Sequence, residues 1–245
     1  MKDVFCLSVN TDRLSLDRII FIGRTFDEYM KMFNLNASEL KGKNILDCPA
    51  GACAFGSKMK SSSINIKSCD ISYYFDKQSL YKKGQQDIEH AIENIEKAKH
   101  LYNWTYFKNT QELKNSRIQA LENCYSDMVI NKEDYVAANL PVLPFADHSF
   151  DILLSAHFLF MYADQLDYEF HRACINEMLR VSKNEIRIFP IVDLKGEQYQ
   201  YLSDILSYIS DLGHETELIK VDYEFQKNAH TMMKITIRGN DKVGL

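Results

Sequence analysis

The chain contains no G-x-G-x-x-G run, no C-x-x-C pair and no block of lysine and arginine. The first absence removes the dinucleotide fingerprint and counts against a nicotinamide-dependent oxidoreductase. The second, with no cysteine at zinc-ligand spacing from histidine, predicts no metal site and no redox dithiol. The third, in a chain of net charge -5, argues against nucleic acid as substrate. No apolar run approaches the ~18 residues of a membrane span, and the opening residues lack a secretory h-region. Only four prolines are present, and they do not cluster into a linker. A single domain spanning 1-245 is therefore expected, with a helical arm over 1-40. The six cysteines read as small buried apolar residues in a reducing, cytoplasmic protein.

Against these absences, residues 44–56 stand out as Asn-Ile-Leu-Asp-Cys-Pro-Ala-Gly-Ala-Cys-Ala-Phe-Gly. A short apolar run ends in Asp47, and a turn of small residues follows, with Ala50 and Gly51 at its centre. Such a strand–turn–helix corner is expected to expose backbone N–H groups and to let a ligand approach the main chain closely. A second apolar run ends in Asp70, roughly the twenty residues further on that bring an acid to a ribose. Together these features predict a nucleoside-containing cofactor at the carboxyl ends of a parallel sheet. Pro49 has no N–H to give, so a pyrophosphate would find few donors.

The corner resembles the first motif of class I S-adenosylmethionine-dependent methyltransferases, D-x-G-x-G-x-G. Asp47 and Gly51 match, while Pro49 and Cys53 replace the first and third glycines. The stretch 139–162 resembles a second family pattern more closely: Leu143-Pro144-Phe145, Asp147, Ser149-Phe150-Asp151, Ser155 and His157 all fall in register. The resemblance implies S-adenosyl-L-methionine as cofactor. It implies that Asp70 receives the ribose hydroxyls, with Ile71 on the adenine face and Asn139 and Leu140 at the adenine edge. It further implies Asp47 either structural to the corner or near the methionine amine, Arg24 and Tyr29 from the arm over the methionine end, and Ser155 beside the cofactor. His157 is the candidate general base. No Asn/Asp-Pro-Pro-aromatic tetrapeptide follows Ser155, which lowers adenine and glutamine amino groups as acceptors.

Along the chain, strands are expected at Asn44–Cys48, Asn65–Cys69, Tyr135–Leu140, Asp151–Ala156 and Glu185–Phe189, with helices between them. The first of these helices is expected over Ala52–Lys60, and later ones over Gln165–Val181 and Tyr199–Leu212. Two alternating runs, about Glu217–Phe225 and Met232–Arg238, read as a closing antiparallel hairpin. Helical spacing of Phe26, Met30 and Phe33 predicts a helix within 14–33. Residues 76–130 exceed the single helix that should join the second and third strands. They read as a helical insertion, broken near Gly84, capped at Thr110, and bent where Trp104, Tyr106 and Phe107 cluster. The insertion is either a packing elaboration or a lid over the substrate.

The expected fold is thus a Rossmann-like, doubly wound α/β domain: a seven-stranded, mostly parallel sheet with a C-terminal antiparallel hairpin. The expected function is transfer of a methyl group to a small-molecule acceptor. The alternative is a non-catalytic protein that binds the cofactor or a partner. No membrane partner is expected, and the sequence leaves homo-oligomerisation open.

Overall fold

The computed structural model describes residues 20–59 and 64–238. Seven strands form one sheet in the order β3-β2-β1-β4-β5-β7-β6. They are β1 (Asn44–Asp47), β2 (Asn65–Asp70), β3 (Tyr135–Ala137), β4 (Phe150–Ala156), β5 (Ser182–Phe189), β6 (Glu215–Lys220) and β7 (Thr231–Thr236). The first five are parallel. β7 runs antiparallel to both β5 and β6, which closes the sheet with the expected hairpin. β1 is central, and its burial without alternation (Ile45, Leu46 and Asp47 are all enclosed) is the mark of a strand covered on both faces.

The helices are α1 (Phe26–Met32), α2 (Ala37–Leu40), α3 (Phe55–Met59), α4 (Lys77–Lys97), α5 (Thr110–Ile130), α6 (Tyr168–Val181) and α7 (Leu202–Asp211). Several boundaries shift inward from expectation. The third strand ends at Ala137, leaving Asn139 and Leu140 in a loop closed by the Asn139–Val142 bridge. The expected helical residues 14–19, Lys60 at the end of the first core helix, and Cys6 lie outside the described residues.

The N-terminal arm enters the fold through two close approaches. A Cβ on Gly23 would lie 1.8 Å from the Ala52 carbonyl oxygen, and one on Gly51 would lie 2.9 Å from that of Ile22. Gly51 also has φ +55, a left-handed conformation that glycine adopts without cost. The glycine at the corner therefore serves the chain's own arm as well as any ligand. α1 then starts at a capping box: the Thr25 side chain accepts from the Glu28 N–H, and the Glu28 carboxylate accepts from the Thr25 N–H. Phe26 and Tyr29 stack on Phe55, at 5.8 and 5.2 Å between ring centroids.

The insertion is a pair of 21-residue helices packed on each other. Gly84 does not break the first of them. α4 runs through it because the missing side chain admits Leu121 of α5: a Cβ there would sit 2.6 Å from a Leu121 methyl. The N-cap of α5 is Asn109, whose side chain accepts from the Glu112 N–H, so Thr110 is instead the first helical residue. The bend between the helices is tied to the β6–β7 connection. The Asn103 N–H donates to the Phe225 carbonyl (2.6 Å), and the Lys227 N–H donates to that of Leu101 (3.0 Å).

Candidate functional site

A cavity of about 540 Å³ opens at the carboxyl ends of β1, β2 and β4, within the range of small-molecule sites. Its wall includes Ala50, Gly51, Asp70, Ile71, Asn139, Leu140 and His157 from the sheet end, and Arg24 and Tyr29 from the arm. The fold thus brings together residues spread over 134 positions of sequence. Phe158 and Tyr162 also line it; Phe160 is fully enclosed.

Asp70 is the best-ordered acid of the site. One carboxylate oxygen accepts from the Gly51 N–H and the other from the Ser72 N–H, each at 2.8 Å. Burial pushes its pKa up, and these two N–H groups oppose that rise. A carboxylate has about four acceptor positions, so two remain after these bonds are made.

Four of the corner's N–H groups are already engaged within the chain. The Ala50 N–H donates to Cys69, the Gly51 N–H to Asp70, that of Cys53 to Ala50, and that of Ala54 to Arg24. The physical reason is the tight fit of arm, corner and second strand, which leaves few donors for a phosphate. The residues fit a nucleoside without a pyrophosphate: an acid for hydroxyls, Ile71 for an apolar face, and the Asn139 amide at an edge.

Asp47 and Ser155 do not line the cavity. Both are enclosed behind its wall, at 0% and 1% exposure. Asp47 instead accepts from the Tyr29 hydroxyl (2.9 Å) through one oxygen, while the other has no hydrogen-bond partner. Burial pushes the Asp47 pKa up to about 7, against the opposing influence of the Tyr29 hydroxyl and the neighbouring Cys53. Its position follows from the strand pattern: the last residue of a doubly covered strand is buried whatever its polarity.

Behind the arm lies a network that single-sequence reasoning missed. Arg117 of α5 forms a two-pronged pair with Glu28 of α1, at 2.7 and 2.9 Å. The Tyr223 hydroxyl donates to the same carboxylate at 2.8 Å. Burial alone would raise the Glu28 pKa; Arg117 and Arg24 overcome it and hold the group at about 2. The capping box marks Glu28 in sequence, but partners 89 and 195 residues away leave no periodic signal.

Arg24 differs from Arg117 in having no paired carboxylate among the described residues. There its Nη1 donates only to the Gly23 carbonyl (3.3 Å), its Nε is unpartnered, and it faces the cavity. Burial and the neighbouring Arg117 lower its pKa. A buried cation so placed suits an anionic group. His157, just beyond β4, has φ +52, and its N–H donates to the Phe189 carbonyl at 2.6 Å. Its Nδ1 is unpartnered among the described residues, and burial, with Arg24 and Arg117 nearby, lowers its pKa well below the usual imidazole value.

Cys48, Cys53, Cys69, Cys124 and Cys174 are free and buried. No cluster of three or more metal-ligating side chains occurs among the described residues, nor any helix long and apolar enough to cross a membrane.

By strand order, the antiparallel seventh strand and the placement of its cavity, this is a Rossmann-like protein with the seven-stranded fold of class I methyltransferases. The chain belongs to the same family as the uncharacterized protein MJ0045 of Methanocaldococcus jannaschii. The two are 34% identical over 223 residues, 91% of this chain and 98% of that protein. No protein-family model matches the chain. Among solved structures it is similar to magnesium protoporphyrin IX methyltransferase of Synechocystis with bound S-adenosylmethionine (TM-score 0.46, 10% identity, covering 82% of this chain and 73% of that one). It is also similar to an S-adenosylmethionine-dependent methyltransferase of Aquifex aeolicus (TM-score 0.40, 14% identity, covering 85% and 91%).

Proposed function

We propose that this protein binds S-adenosyl-L-methionine and catalyses methyl transfer to a small-molecule acceptor. The observation that carries the reading is Asp70: a buried carboxylate pinned by two N–H groups at a corner where the Ala50, Cys53 and Ala54 N–H groups are also engaged. That arrangement suits a ribose and does not suit a pyrophosphate. Ile71 and Leu140 bracket the adenine, and the Asn139 side-chain carbonyl accepts from its amino group. Arg24 takes the carboxylate of the methionine end. Tyr29, held by Asp47, shapes the wall beside it. When bound, the cofactor supplies an electrophilic methyl group on a sulfonium.

The chain's own residues then contribute position and dryness. Orienting two reactants side by side in one cavity supplies much of the rate in such displacements. His157 receives a hydrogen bond from the acceptor's nucleophile; burial and the two neighbouring arginines disfavour its protonated form, which favours accepting that bond over taking the proton outright. Asp47 and Ser155 act from behind the wall.

Calorimetric titration tests the reading. S-adenosylhomocysteine is expected to bind with a dissociation constant near 1 μM, roughly -8 kcal/mol. Asp70→Asn keeps the shape but gives up the charge-assisted bonds to the ribose, each worth roughly 1.5–3 kcal/mol. It should weaken binding at least tenfold. Unchanged affinity removes Asp70 from the site, and no binding to folded wild-type protein at millimolar ligand ends the proposal.

A further inference from the structure

The cavity extends past the cofactor corner to α4, and that wall has a character of its own. Leu80, Gly84 and Ile88 form one apolar stripe, buried against Phe21 and Leu121. The stripe continues through Ala91, Ile92 and Ile95, which are half-buried and line the cavity. Residues on the opposite face of the same turns, Glu89, Glu93, Asn94, Glu96 and Lys97, are exposed and polar. Ile92 and Ile95 touch the core cluster that holds Phe107 and Leu113 on one side and face the cavity on the other.

The facing wall is aromatic and fixed. Tyr102 stacks on Phe225 with centroids 4.8 Å apart and planes at 28°. The backbone bonds at Asn103 and Lys227 lock the two chain segments that carry them.

Charge settles what the chamber accepts. The ionised side chains on the cavity wall among the described residues are Asp70, Arg24 and Arg117. Asp70 lies at the ribose end. Arg117 is neutralised by Glu28. Arg24 is assigned to the cofactor. Among the described residues no counter-charge is left for the acceptor, and burying an unpaired charge against isoleucine is strongly unfavourable.

We infer that the methyl acceptor is a neutral, largely hydrocarbon molecule, seated between Ile88, Ala91, Ile92 and Ile95 of α4 and the Tyr102–Phe225 pair. The inference rests on the methyltransferase reading for the word acceptor, and on the cavity alone for the chemistry of the ligand. The insertion between β2 and β3 is thus the specificity element of the protein.

The neutral fluorescent probe N-phenylnaphthylamine tests it on the full chain. Wild-type protein should bind the probe saturably at one site, with and without S-adenosylhomocysteine. Ala91→Trp, which fills the chamber, should weaken the probe at least tenfold while calorimetric affinity for S-adenosylhomocysteine stays within twofold. Ile95→Glu, checked for an unchanged melting transition, should do the same by placing a carboxylate in the wall. With S-adenosylhomocysteine present, the charged analogue anilinonaphthalene sulfonate should bind at least tenfold more weakly than the neutral probe. Absence of a saturable site, equal probe binding by both variants, or a sulfonate that binds as tightly overturns the inference. Probe binding that obeys these expectations in a protein that ignores S-adenosylhomocysteine overturns the cofactor reading instead and leaves the chamber standing.

Discussion

Asp47 gives a stability prediction whose sign and size follow from the geometry. The carboxyl is fully enclosed, holds one hydrogen bond from Tyr29, and has one oxygen without a partner. Burial raises its pKa from an ordinary 3.8 to about 7. In that interval the native chain holds a proton that the unfolded chain has lost, so stability falls as pH rises. The favourable contribution is complete below 3.8, shrinks through the window, and is gone above about 7. Ionising the buried group costs about 4 kcal/mol in total, at about 1.4 kcal/mol per tenfold change in protonation. Asp47→Asn keeps the acceptor for Tyr29 and removes the titration. Urea unfolding, extrapolated to water at about pH 5 and about pH 8, measures both proteins. Between the two conditions the wild type should lose about 3 kcal/mol more than the variant. Parallel pH profiles, agreeing within about 0.5 kcal/mol, refute the claim that this carboxyl is buried and protonated in the native state.

Three further perturbations probe the arm and the insertion. Arg117→Met or Glu28→Gln leaves one buried partner of the pair uncompensated and should cost about 3–5 kcal/mol, whereas replacing both with leucine should cost less than the two single changes combined; urea unfolding of the cycle decides. Gly23→Ala drives a methyl group into the Ala52 carbonyl, so it should destabilise by more than about 2 kcal/mol and weaken S-adenosylhomocysteine binding through the displaced Arg24. Trp104 sits edge-on to Phe225 at 5.4 Å, so its fluorescence should change when the chamber fills, and proteolysis within residues 103–115 should slow; flat signals with saturating ligand would make the insertion a static wall.

The sheet was legible because its central strands are short apolar runs cut off by turn residues, and because two alternating runs at the end leave only a hairpin as their reading. The corner was legible at Asp47, Gly51 and Asp70 because an acid after an apolar run is a local signal. Its donor count was not, since the N–H groups of Ala50, Gly51 and Ala54 are spent on Cys69, Asp70 and Arg24, and the Arg24 and Cys69 contacts are set by tertiary packing. Gly84 shows the same limit: a glycine that reads as a helix breaker proves to be the point where Leu121 crosses. Glu28, Arg117 and Tyr223 meet across three elements, and no spacing within any one of them announces it. The two insertion helices were visible as periodic stripes. That the second half of one stripe faces a cavity was not, because periodicity records which residues avoid water and not what covers them.

A crystal structure of the protein grown with S-adenosylhomocysteine tests the central claim most directly. The account predicts both ribose hydroxyls within hydrogen-bond distance of the Asp70 carboxylate, adenine against Ile71 beside Asn139, the ligand carboxylate on Arg24, and empty space beside Ala91 and Ile95. A ligand seated elsewhere, or a ribose that turns away from Asp70, would contradict it.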